Sequence, residues 1–397
     1  MQSWLHVIEW RANVRPEVTA LVDDRGAAYT YAEVRAEAER RSGGWAGAGV
    51  RPGDVVAIVA KNSADFLLTA FALMRAGATP AFVNWRLSAR ELAEVLALVE
   101  PVAIAADAEF TGLVETAWPE GGARVVIGGG AVPAGWLESA ALAGPVPPRP
   151  QLTGDAVLAL VHTSGTTGRA KAIPLRHGAL MMSVADFAIE IGDQVAGSRH
   201  LQILPLFHLG GFGQCMQAIL TAGTVHIHSS FSPAAVIDAI DADRIEFFTA
   251  GPSLIEMLVA ELGRRDRAGN SRADLSSLRE IAYGTAPITP SLLTAAMAAF
   301  GCRFRQIYGN TESQSMISLL APQDHQPGHP RLASAGRVSF GWRSASSTGT
   351  AATCPSTRQA NCSSAASACS PGTGGIRRRR PRRSRTAVGT APVTSAS

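Results

Sequence analysis

The chain has 397 residues, of which 46% are hydrophobic and 17% charged, with a formal net charge of +4. That length exceeds one simple core and the composition fits a soluble α/β protein, so two or more domains or subdomains are expected. No signal peptide or membrane span is visible: the best apolar stretch, Phe66 to Val83, is broken by Arg75 and Gly77, and the cytoplasm is the default location.

Residues 1–150 alternate strand and helix patterns. Tyr29-Thr30-Tyr31 reads as a strand end entering a helix over Ala32 to Ala46. Asp54 to Ala60 is a short buried strand, Ala64 to Ala76 a helix, and Thr79 to Val83 a strand again. After Asn84-Trp85-Arg86-Leu87 comes a capping box, Ser88 with Glu91 three residues on, and then a helix that Pro101 ends. Val102 to Ala106 is strand. Strand–helix–strand repetition argues for a largely parallel sheet covered by helices. The Pro-rich connector Pro145 to Pro150 marks an expected subdomain boundary.

The apolar run Ala156 to Val161 reads as a strand leading into Thr163-Ser164-Gly165-Thr166-Thr167-Gly168-Arg169-Ala170-Lys171. Glycines let backbone approach a phosphate closely, and successive N–H groups can form an anion-binding concavity. The hydroxyls add donors and Lys171 adds a mobile charge. The Walker A order is absent, because two residues separate Gly168 from Lys171 and Ala172 follows. A polar Gly/Thr turn between two strands is the plainer alternative.

Beyond the loop the alternation resumes. Leu201 to Leu206 is a strand ending in Pro205-Leu206-Phe207-His208-Leu209-Gly210-Gly211-Phe212, followed by an apolar helix over Gly213 to Ala222. Thr224 to His228 is strand, Pro233 to Ala242 an amphipathic helix, Phe247 to Ala250 strand and Ser253 to Leu262 helix. Leu278 to Tyr283 is a strand entering Gly284-Thr285-Ala286-Pro287, and Pro290 to Ala299 is a helix. Arg303 to Tyr308 is the strand before Gly309-Asn310-Thr311-Glu312. In α/β sheets ligands gather outside the carboxyl ends of strands, so these strand ends are candidate functional positions. Taken alone, Tyr308 could be core, Glu312 a helix cap and His208 a structural histidine.

The nine-residue loop, the Asn-x-Arg-Leu string and the Tyr308-Gly309-Asn310-Thr311-Glu312 turn together resemble the adenylate-forming superfamily. That superfamily includes acyl-CoA synthetases, luciferases and peptide-synthetase adenylation domains. The resemblance runs from about residue 8 to Arg337. It implies an acyl-CoA-synthetase-like N-terminal domain: an α/β fold of two stacked subdomains, 1–150 and 151–337, with mainly parallel sheets. It implies activation of a carboxylic (fatty) acid by ATP to an acyl-adenylate, then transfer to coenzyme A. Thr163, Ser164, Gly165, Thr166, Thr167 and Gly168 would grip the ATP phosphates with Lys171. Tyr308 and Gly309 would lie along the adenine, as would Gly284, Thr285, Ala286 and Pro287. Many members carry Gly where this chain has Thr285. Thr311 would contact phosphate, and Glu312, with Thr166, would hold Mg²⁺. Mg²⁺ prefers one or two carboxylates plus phosphate oxygens, so the residue types agree.

The Phe207-to-Phe212 segment resembles the acyl-pocket motif of the acyl- and aryl-CoA ligases, with His208, Gly211 and Phe212 against the substrate. Amino-acid-activating relatives typically place an Asp near here, and none lies between Leu204 and Gln214. An uncharged acyl substrate is therefore favoured, with an aryl-acid or amino-acid adenylating enzyme as the alternative.

Residues 338–397 depart from the pattern. They hold nine arginines and no Asp or Glu; without those arginines the net charge of +4 becomes −5. The five cysteines match no zinc spacing, and an odd number argues against a disulfide frame. At face value the tail is low-complexity and disordered, and a nucleic-acid binder through its arginines is a third reading. Nothing aromatic interleaves with them, so no specific nucleic-acid partner is expected.

A shifted reading frame explains the tail better. With third bases left free, the neighbouring frame from Trp342 gives Val-Glu-Val-Arg-Ile-Val-Asp. Arg358 to Ala366 can give Thr-Pro-Gly-Glu-Leu-Leu-Val-Arg-Gly, and Ser370 to Gly374 can give Phe-Ala-Gly-Tyr-Trp. Thr390 to Ala396 can give Tyr-Arg-Thr-Gly-Asp-Leu-Gly. In that order these resemble the family's segments before its inter-domain hinge. In the family that Asp holds the ATP ribose; Thr394 stands in its place here. The expectation is a chain lacking the C-terminal domain and its lysine, with weak ATP binding at best and little or no thioester formation.

Overall fold

The computed structural model describes residues 3–163, 170–191, 197–268, 273–326 and 329–339, apart from the side chain of Ser315. The nine-stranded sheet has the spatial order Arg337–Val338, Ser315–Leu320, Arg303–Asn310, Glu280–Tyr283, Phe247–Ala250, Arg199–Gln202, Thr224–Ile227, Thr19–Asp23, Ala28–Thr30. Its six strands from Arg303–Asn310 to Thr19–Asp23 run parallel. The flanking strands are antiparallel. The seven-stranded sheet has the order Leu137–Glu138, Ala123–Ile127, Ala103–Asp107, Val55–Val59, Thr79–Val83, Val157–Thr163, Lys171–Arg176. Only the last of these runs antiparallel to its neighbour. The mainly parallel α/β architecture expected from strand–helix repetition is what forms.

The sheets do not divide at the 145–150 connector. Thr19–Asp23 pairs in parallel with Thr224–Ile227, while Val157–Thr163 pairs in parallel with Thr79–Val83. The two expected halves therefore exchange strands. Composition marks the connector, but hydrogen-bond partners are set by which edge each strand reaches.

The largest core cluster lies between the sheets and explains the burial of the helix Ala64–Arg75, in which every residue except Asp65 is buried. Phe82, from the Thr79–Val83 strand, packs at 5.2 Å from Phe66 in this helix and at 4.9 Å from Phe212 in the helix Leu209–Leu220. Two aromatic contacts thus tie one sheet, through Phe82, to two helices. Both capping boxes are formed, Ser88 with Glu91 and Thr30 with Glu33, so each helix begins with its first free N–H groups satisfied.

Three local features differ from the sequence reading. The strand expected over 201–206 is Arg199–Gln202, because Pro205 removes a donor, and the next helix starts at Leu209 rather than Gly213. Lys171–Arg176 is a strand despite Pro174, which is tolerated because this strand is an edge. His177–Ile191 is a helix whose apolar residues surround it, leaving weak periodicity to read. Among the described residues no helix is long and apolar enough to cross a membrane.

Candidate active site

A cavity of about 630 Å³ opens at the carboxyl ends of the parallel strands in the nine-stranded sheet. The helices His177–Ile191 and Leu209–Leu220 form its opposite wall, through Leu180, Phe187 and Gln214 among others. Six residues expected at a site from sequence line it together: His208, Gly211, Gly284, Thr285, Gly309 and Thr311. They come from three separate strand ends, as the ligand position in a parallel α/β sheet requires. Among the described residues, none that lines it is Asp, Glu, Lys or Arg. The wall suits an uncharged group, since a charge placed there would find no counter-ion.

Two glycines make the cavity possible. A Cβ on Gly211 would stand 2.3 Å from the Pro205 carbonyl oxygen, and one on Gly284 would stand 2.5 Å from the Ile307 carbonyl oxygen. Both obstacles are backbone, so a side chain would push the walls apart. Thr285 adopts φ of 70°, the left-handed region that disfavours a β-branched residue.

Other expected residues sit apart from the cavity lining. Phe212 is fully buried against Phe82 and belongs to the core rather than to the pocket in which the sequence reading set it. The N-terminal turn of its helix directs Gly211 to the cavity and Phe212 inward, one position on. Tyr308 is half-buried, while Ala286, Pro287 and Glu312 are exposed beside the cavity-lining residues Thr285 and Thr311. Glu312 makes no hydrogen bond or ion pair among the described residues.

Thr163 and Lys171 face each other across the antiparallel pair that brackets the predicted phosphate loop. Lys171 is exposed, and the Thr163 hydroxyl is buried without a hydrogen-bond partner. Ser164, Gly165, Thr166, Thr167 and Gly168 lie outside the described residues, so the loop itself adds nothing to the geometry. The Lys171–Arg176 strand is joined to the turn carrying Glu312 by one hydrogen bond, from Arg176 N–H to Gln314 Oε1 at 2.8 Å.

The Asn84-to-Leu87 string also meets this region. Asn84 N–H donates to His162 Nε2 at 2.9 Å, beside Thr163. Burial, with His208 nearby, pushes the His162 imidazole down to about 4, which keeps Nε2 free to accept. Arg86 lies over Trp85 at 4.5 Å and over Phe207 at 5.8 Å, next to His208.

Gln214 and Gln217 were not singled out from sequence. Two amides three residues apart in an otherwise apolar helix share one face, and that spacing was the available signal. Among the described residues, no group of three His, Cys, Asp or Glu is placed to hold a metal. A magnesium ion carried by ATP needs only one or two carboxylates besides phosphate oxygens, and exposed Glu312 with no internal partner fits that demand.

A family model described as AMP-binding enzyme matches residues 8–344. Feruloyl-CoA synthase from Amycolatopsis sp is 35% identical over 335 residues, covering 83% of this chain and 63% of that protein. Indoleacetate–CoA ligase from Aromatoleum aromaticum is 33% identical over 314 residues, covering 78% of this chain and 59% of that protein. The chain therefore spans less than two thirds of the length of these relatives. Among solved structures, O-succinylbenzoate coenzyme A synthetase (MenE) from Bacillus subtilis, in complex with ATP and magnesium ion, matches with TM-score 0.73 and 25% identity. That match covers 86% of this chain and 66% of the other. The N-terminal domain of FACL13 from Mycobacterium tuberculosis shares the fold at TM-score 0.73 and 24% identity, covering 86% of this chain and 83% of that one.

Proposed function

This chain belongs to the AMP-binding enzyme family, and we propose that it binds ATP and an uncharged carboxylic acid and joins them as an acyl-adenylate. The observation that supports this most directly is a cavity without a charged side chain among its described lining residues, whose rim carries Thr311, beside Glu312, at the carboxyl ends of parallel strands. The acid's tail would lie between the helices His177–Ile191 and Leu209–Leu220, with its carboxylate toward the Thr285 and Thr311 rim.

In this reading no protein nucleophile is needed: the carboxylate attacks the α-phosphorus and pyrophosphate leaves. The residues act by position and charge. Lys171, exposed at the end of its strand, would neutralise phosphate oxygens, and Thr163 would find in the nucleotide or its loop the partner its hydroxyl lacks. Glu312 would hold the magnesium ion, which supplies charge neutralisation at the phosphates when bound. Tyr308, Gly309 and the Gly284-to-Pro287 turn would flank the adenine. His208 and Gly211 would border the reacting carboxylate.

We further propose that ATP binding is weakened and that transfer to coenzyme A is impaired with it. Residues 338–397 contain no carboxylate, so they cannot provide the Asp that holds the ribose in the family pattern. A lost charged hydrogen bond to a ribose hydroxyl costs about 1.5–3 kcal/mol. The frame-shift account of this segment makes the same statement at the level of the gene, which resequencing around codon 338 tests.

Acid-dependent exchange of labelled pyrophosphate into ATP tests the first step. Exchange with aryl or alkyl acids, and none with amino acids, is the expected result. No exchange with any acid, in a chain that also fails to bind ATP, would refute the proposal. Acyl-CoA formation at a rate matching the exchange would refute the second part alone.

A further inference from the structure

The inner end of the cavity, where it adjoins the strands of the nine-stranded sheet, is lined by Gln214, Gln217 and Thr249. The strands Arg199–Gln202, Phe247–Ala250 and Glu280–Tyr283 are parallel, with His200 in register with Phe247 and Phe247 with Glu280. Because side chains alternate along a strand, these three share a face, and Thr249 with Ala282 forms the next row on that face. A chamber of about 10 Å³ lies against this face and shares Phe187, Gln214, Gln217 and Thr249 with the large cavity. It has room for one water at most.

Glu280, which also lines it, is paired with Arg305, but two other polar atoms around it are buried without partners. Gln214 is 7% exposed; its Nε2 donates to the Leu201 carbonyl at 3.3 Å, which leaves Oε1 buried with nothing to accept. His200 is 1% exposed, and its Nε2 is also unpartnered. Burial pushes that imidazole down to about 4, so it is neutral at physiological pH. The Gln217 side chain is 4% exposed and makes no hydrogen bond among the described residues. Buried polar atoms without partners are uncommon in a folded protein, and these residues together line the small chamber that adjoins the cavity.

We propose that this inner end is a hydrogen-bonding subsite, walled by Gln214, Gln217 and Thr249 and backed by His200, for an acid bearing a hydroxyl at the end remote from its carboxylate. The hydroxyl donates to Gln214 Oε1 and accepts from the Gln217 amide. An unsubstituted tail would reach the same place and leave Gln214 Oε1 and the Gln217 amide unpaired. A site built to pair a hydroxyl rejects the analogue lacking it more strongly than an apolar pocket rejects an added one. The proposal rests on reading the cavity as the acid site.

The test uses non-hydrolysable acyl-sulfamoyl adenosines in two matched pairs: 4-hydroxycinnamoyl against cinnamoyl, and 12-hydroxydodecanoyl against dodecanoyl. Titration calorimetry on the full chain should show the hydroxylated member of at least one pair binding about tenfold or more tightly. Gln214→Leu and Gln217→Leu should each bring that ratio close to one, chiefly by weakening the hydroxylated member. Equal affinities in the wild type for both pairs would overturn the subsite and leave the acid site standing. So would a ratio that survives in both variants. Failure of all four compounds to bind would overturn the acid site and the subsite together. Gln217→Leu guards the test against misfolding of Gln214→Leu, because Gln217 anchors no backbone group through its side chain.

Discussion

Arg176 and Gln314 are joined across the two sheets: the backbone N–H of Arg176 donates to Gln314 Oε1 at 2.8 Å. Arg176 ends the strand that Lys171 begins, and Gln314 follows Glu312 by two residues. This bond ties the strand that carries Lys171 to the turn that carries Glu312. Gln314→Ala is expected to raise the KM for ATP about tenfold in pyrophosphate exchange, the equivalent of one ordinary hydrogen bond, with the KM for the acid little changed. Equal rises in both would place the bond's role in general stability instead.

Lys171 is exposed at the start of its edge strand, so removing its charge should spare the fold. Lys171→Ala is expected to lower acid-dependent exchange by about 10²–10³-fold while the thermal midpoint stays within about 2 °C of wild type. Unchanged exchange would remove Lys171 from the phosphate site.

Thr285 holds φ of 70° at the cavity rim. Replacing it by Gly relieves the clash of a β-branched side chain in the left-handed region, worth about 1 kcal/mol in urea denaturation. A destabilised Thr285→Gly would mean that the hydroxyl, not the backbone, decides this position.

Three histidines make the fold sensitive to acid. Burial pushes His162, His177 and His200 each down to about 4 from an ordinary 6.5. His177 Nδ1 accepts from Trp4 N–H at 3.2 Å and His162 Nε2 accepts from Asn84 N–H at 2.9 Å, roles that protonation at those nitrogens removes. Between about pH 6.5 and 4 the unfolded chain binds more protons than the folded one, so the stability present above 6.5 drains away as pH falls. Unfolding free energies from urea titrations should drop steadily across that window, by about 2–3 kcal/mol for each of the buried His177 and His200 and by less for half-buried His162. A flat profile would show that these rings are not held neutral.

Strands and helices with clear punctuation were legible. Pro233–Ala242 and Phe247–Ala250 have the bounds that their Pro and Gly neighbours imply. The rim residues were legible too, because strand ends followed by Gly-rich turns have few uses. The walls were not. Thr249 and Ile307 face the cavity only because their strands lie beside particular neighbours, and pairing partners are not written locally. Phe212 shows the same limit at one residue's scale: adjacent positions on a helix point in different directions, so a motif places a segment better than it places a side chain.

The pairing of Leu21 with Val225 has a consequence for how the chain is made. The strand holding Leu21 must wait for some two hundred more residues to be made before its neighbour exists. Until then its hydrogen-bonding edge is open, and chaperone capture competes with premature aggregation. Cutting the gene at the proline-rich connector would yield two fragments that each carry a strand belonging to the other.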